Sequence, residues 1–133
     1  MDEYLKVLFV ERDPAISASV ADAFMGMDDI VLMVAGGFEL AEPLLMHGSI
    51  DVLVVDVRIP ETGNGHEFVH RFANRYLYAG IVLVCGDPQT FDHFYPPYAV
   101  CLQKPYNIVG LLDAIESAMR LARSINSTHP RLP

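Results

Sequence analysis

One aspartate stands where an apolar run stops. In DVLVVDVRIP, residues 51 to 60, Val52 to Val55 are continuous and rich in β-branched side chains, and Asp56 follows them. That is the pattern of a parallel strand covered on both faces. Asp56 then stands at the strand's carboxyl end, where open α/β sheets place their ligands. Alone, it reads equally well as a loop-facing polar residue or a helix cap. Other groups change the balance. Glu11, Arg12 and Asp13 follow the apolar run KVLFV, Cys85 ends IVLVC, and Lys104-Pro105 follows a short apolar stretch from 99 to 103. An aspartate flanked by acids, with a lysine opposite, is suited to accept a phosphoryl group. The carboxylate is the nucleophile and the product an acyl phosphate. The transferred group spreads negative charge, so it asks for a divalent cation and a fixed ammonium. Acids at the end of the first strand offer Mg²⁺ hard oxygen ligands, and Lys104 can pair with a phosphoryl oxygen. A hydroxyl at the end of the fourth strand would donate to another oxygen; Cys85 stands there and is a weaker donor.

Five strand-helix units position these groups. The strands are expected at 6 to 10, 30 to 35, 52 to 55, 81 to 85 and 99 to 103. Asp13-Pro14 starts the first helix, since Asp caps and Pro suits the first helical position. Ile16, Val20, Phe24 and Met27 recur along it at helical spacing. Pro43 either starts or kinks the second helix. The third, 66 to 77, turns Phe68, Val69, Phe72 and Leu77 inward. Its His66 and His70, four apart, have a spacing that can bind metal but read as surface residues, mostly solvated along with Glu67, Arg71 and Arg75. Residues 89 to 98 are hard to assign: Asp87 or Thr90 can cap a short helix that Pro96-Pro97 ends. Asn107 caps the last helix, whose stripe is Ile108, Leu111, Leu112, Ile115, Met119 and Ala122. Alternating strands and helices imply a parallel sheet with helices on both faces. The expected class is α/β, flavodoxin-like and doubly wound, with five strands in the order 2-1-3-4-5. That order sets Glu11, Arg12 and Asp13 beside Asp56, with Cys85 and Lys104 on the other side.

Composition narrows the function classes. A chain of 133 residues suits one domain, placed at 1–125, with 126–133 as a disordered tail or the start of a linker. Net charge is −8, which argues against a nucleic-acid surface. No apolar run is long enough to span a membrane, and MDEYLK lacks the basic start of a signal peptide. A cytoplasmic protein is expected. No DNA-binding or catalytic output domain fits in the remaining residues, so either a stand-alone domain or one piece of a longer chain is expected.

With VLFVERDP, DVLVVDVRIP followed by Gly65, and LQKPY in order, the chain resembles the receiver domain of two-component response regulators from about Lys6 to Ile125. The resemblance implies a non-enzymatic phosphorelay protein. Asp56 is its phosphoacceptor and Lys104 the lysine of the Lys-Pro pair. Glu11, Asp56 and the backbone carbonyl of Arg58 hold Mg²⁺. Its partners are a histidine kinase or phosphotransfer protein and a downstream protein. Departures are specific. The second acid, a direct metal ligand, is Arg12; Asp13 lies one place further on. Cys85 replaces Thr or Ser, and Cys101 replaces the switch aromatic. Two readings follow. In one, Asp56 is phosphorylated and the last strand and helix change partners. In the other, Arg12 fills the metal's place against Asp56 and the domain binds proteins without phosphorylation.

Flavin or nucleotide binding on this fold is disfavoured, because ERDPAIS has no glycine-rich phosphate cradle. Cys85 and Cys101 fall on adjacent strands, where a disulfide is conceivable; two buried, inert thiols are the expected state. The cluster Phe91, Phe94, Tyr95 and Tyr98 is read as a partner surface, homodimeric in one version, in balance with a plain core role.

Overall fold

The computed structural model describes residues 4–57, 65–86 and 95–128. Five strands, β1 (Leu5–Val10), β2 (Ile30–Ala35), β3 (Val52–Asp56), β4 (Gly80–Cys85) and β5 (Val100–Gln103), form one parallel sheet in the order β2-β1-β3-β4-β5. Four helices are described: α1 (Pro14–Phe24), α2 (Phe38–His47), α3 (Gly65–Arg75) and α4 (Ile108–Thr128). The expected sheet order and class are those observed. The capping segment around Asp87 and Thr90 lies outside the described residues.

The apolar runs are continuous because helices cover the three central strands on both faces. Side chains alternate between two cores. Leu8, Val10, Leu53, Val55, Ile81 and Leu83 pack with Phe38 and Leu45 of α2 and Phe68 and Phe72 of α3. Val7, Phe9, Val52, Val54, Val82 and Val84 pack with Val20 and Phe24 of α1 and Leu111 and Ile115 of α4. β2 departs from the buried strand expected. It is an edge, and Val31 and Val34 are exposed.

Helix ends follow local chemistry. Asp13 caps α1 by accepting the Ala15 N–H at 2.9 Å, and Asn107 caps α4 by accepting the Gly110 N–H at 2.8 Å. Pro43 lies inside α2 without ending it. α3 stops at Arg75, so Leu77 is exposed and Ala73 takes the inward place expected for it. α4 runs to Thr128, past the Ile125 where a tail was expected to begin. Gly80 lets α4 approach β4: a Cβ there would lie 2.8 Å from backbone atoms of Ala118 and Met119.

Candidate functional site

β1 and β3 pair with Val10 opposite Val55, and β3 and β4 with Asp56 opposite Val84. Glu11 therefore leaves the sheet beside Asp56, at the place where chain order reverses across the sheet. By two-residue alternation Asp56 shares its face with Val52 and Val54, the α1/α4 side. Lys104 follows β5 on the same side as Val100 and Leu102. The two meet: Lys104 Nζ donates to Asp56 Oδ2 at 2.6 Å and lies 3.8 Å from Glu11 Oε1. Both acids are buried, at 5% and 3% exposure. Glu11 Oε2 accepts the Asp13 N–H at 3.0 Å, and the Lys104 N–H donates to the Cys85 carbonyl at 2.9 Å. The peptide bond from Lys104 to Pro105 is cis.

The structure thus joins Asp56, Lys104 and Glu11, which 93 positions of sequence separate at the extremes (Lys104 minus Glu11). Of the departures, Arg12 directly follows Glu11 and is exposed. Asp13 is exposed as well, and its carboxylate is committed to the α1 cap. Arg58 lies outside the described residues.

Cys85 and Cys101 do not have the inert thiols expected of them. Their sulfurs are joined in a disulfide. A disulfide has no S–H, so Cys85 cannot be a hydrogen-bond donor in this state. Cys101, held by the same bond, cannot swing as a switch aromatic would.

Tyr98 is core rather than partner surface, at 2% exposure among the α2/α3-side residues. Tyr95 is half-buried and meets the His66 ring edge-on, with centroids 4.7 Å apart. Phe91 and Phe94 lie outside the described residues.

Sequence reasoning missed Tyr106, although it quoted this residue within LQKPY. Its hydroxyl is buried with no hydrogen-bond partner among the described residues. Burial first, and then the Glu11 and Asp56 carboxylates, push its phenol up to about 12. Its aromatic character and position two residues after Lys104 were the available signals.

Mg²⁺ needs near-octahedral oxygen ligation. Among the described residues no group of three His, Cys, Asp or Glu side chains is placed to hold a metal ion. Glu11 and Asp56 are the two carboxylates brought together there, and the Lys104 ammonium lies against both.

Comparison with solved structures adds to this geometry. A receiver domain of an HD-domain protein from Pseudomonas fluorescens Pf-5 aligns with a TM-score of 0.73 at 20% identity, covering 92% of this chain and 99% of that one. A CheY-like receiver-domain protein from Methanospirillum hungatei aligns at 0.72 and 15% identity, covering 92% and 98%. The chain has the fold of response-regulator receiver domains. A structure described as an adenylate cyclase from Rhodopirellula baltica also aligns, at 0.74 and 15% identity, covering 94% of each chain. No family model and no curated protein matches the chain. No helix among the described residues is long and apolar enough to cross a membrane.

Proposed function

We propose that this domain is an atypical receiver of two-component signalling that acts in the cytoplasm as a protein-binding module without needing phosphorylation. One observation carries the reading: Arg12 stands where the second acid should be, and among the described residues no third metal-ligating side chain joins Glu11 and Asp56. Without a divalent cation the transfer of a phosphoryl group to Asp56 loses its main charge compensation. Lys104 instead holds Asp56 and Glu11 as a standing ion pair. State is passed on through surfaces. A cleft of about 400 Å³ lined by Ile16, Val20, Lys104, Tyr106 and Ile108 adjoins that pair and suits a downstream protein partner. Tyr95, with Phe91 and Phe94, is kept as a second candidate surface, homodimeric in one version.

A second reading keeps phosphorylation of Asp56 by a histidine kinase or phosphotransfer protein. The 2.6 Å contact between Lys104 and a buried Asp56 favours it, since that ammonium is placed to meet a phosphoryl oxygen. Titration of Mg²⁺ into wild type and Arg12→Asp, followed by calorimetry, tests the first reading. The expected result is saturable binding by the variant alone. Saturable binding by wild type over the same concentrations refutes the proposal and supports the second.

A further inference from the structure

We propose that Cys85 and Cys101 form a reversible redox-modification site, and that reduction loosens β5 and, with it, the seat of Lys104. This does not rest on the state of Asp56.

Register brings the cysteines together. β4 and β5 pair with Leu83 opposite Cys101 and Cys85 opposite Gln103. Cys85 and Cys101 are therefore diagonal neighbours on one face, the α2/α3 side, while Asp56 and Lys104 use the other. Their Cα atoms are 6.8 Å apart, at the long end of the range that disulfides span. The bond ties an edge strand to an interior one. β5 has only four residues and a single strand neighbour, so the link adds a covalent tie to its ladder with β4 and its packing against the α1/α4 core. Lys104 is three residues beyond Cys101, and its N–H already bonds the Cys85 carbonyl. The disulfide and the ion pair thus hold the same strand end from opposite faces.

Access is one-sided. Cys85 is 1% exposed, whereas Cys101 is half-buried. The reductant is a dithiol. Its thiolate attacks Cys101 Sγ, forming a mixed disulfide, and Cys85 Sγ leaves as a thiolate that takes a proton from water. The second thiolate of the reductant then attacks the mixed disulfide. Cys101 leaves and is protonated, and the reductant departs as a disulfide. Two electrons pass from the reductant to the protein sulfurs. A disulfide oxidant reverses the exchange. In the reduced state β5 is held by its ladder and packing alone, and its local opening becomes more frequent.

The full chain is treated with oxidised glutathione or with dithiothreitol, denatured in N-ethylmaleimide and weighed intact. The expected result is no adduct after oxidation, two after reduction, and loss of both on reoxidation. Two adducts after the oxidant, or disulfides only between chains, overturn the site. Amide hydrogen exchange reads the consequence. Residues 101 to 104 are expected to exchange about tenfold faster on reduction, and Cys101→Ser to exchange at the fast rate in both buffers. Equal rates in the two redox states overturn the link to Lys104. Cys101→Ala, which introduces no buried hydroxyl, repeats the measurement if Cys101→Ser unfolds.

Discussion

Replacing Lys104 by Met removes the ammonium that the structure places against Asp56 and keeps most of the side chain's bulk. The ammonium is 2.6 Å from Asp56 and 3.8 Å from Glu11. At an effective dielectric of about 20 the nearer contact alone has a gross Coulomb energy of about 6 kcal/mol. Much of that is offset by desolvation of the three charges. What the substitution exposes is the cost of two buried carboxylates left facing each other, typically about 3 to 5 kcal/mol for a broken buried pair. The Lys104 side chain keeps 24% of its exposure, so water enters and the low end, about 3 kcal/mol, applies. That is a large share of the 5–15 kcal/mol typical of a whole domain and lowers Tm by about 10 °C for a chain of this size. Urea unfolding of wild type, Lys104→Met, Asp56→Asn and the double variant gives the coupling. Asp56→Asn in the Lys104→Met background is expected to recover about half of the loss, because only Glu11 then remains charged. Lys104→Met within about 0.5 kcal/mol of wild type would refute the reasoning, since the pair would then be no more than a screened surface contact.

Other substitutions read other parts of the account. Tyr106→Phe deletes a buried hydroxyl without a partner among the described residues, so stability is expected to stay level or rise by about 1 kcal/mol; a loss above that would show that the hydroxyl has a bond in solution. The same variant carries a pH test. The folded phenol holds its proton up to about 12 against an ordinary 10, so between those values the unfolded chain binds fewer protons and stability falls as pH rises. Tyr106→Phe is expected to flatten that fall, and an unchanged slope in alkaline denaturation counts against it. Gly80→Ala forces a methyl against the backbone of α4 and is expected to cost about 1 to 3 kcal/mol; a neutral result in thermal unfolding would mean that α4 stands off further. Asp13→Ala loses the α1 cap, about 1 kcal/mol, and is expected to leave the Mg²⁺ titration unchanged when added to Arg12→Asp; weaker binding by that double variant would make Asp13 a ligand.

The sheet was legible because its strands are short apolar runs broken by turn residues, and parallel order follows from their alternation with helices. Asp56, Lys104 and Glu11 were legible for the same reason: strand order alone carries them to one crevice. Other features depended on distances that sequence does not carry. Whether Cys85 and Cys101 touch is set by a two-residue offset in the β4–β5 register. Tyr98 and the exposed edge of β2 depend on which strands end up with only one neighbour, and an apolar run reads alike in both places. Tyr106 looks like an ordinary aromatic until its hydroxyl is found facing the acids with no partner among the described residues.

In the proposed function, Arg12 in place of the second acid leaves Asp56 unphosphorylated. Incubation with acetyl phosphate and Mg²⁺, read by intact mass, tests it on wild type, Asp56→Asn and Arg12→Asp. The account predicts no phosphate-sized gain in wild type or Asp56→Asn, and a gain in Arg12→Asp. A gain in wild type that disappears in Asp56→Asn would contradict it and make this domain a working phosphoacceptor.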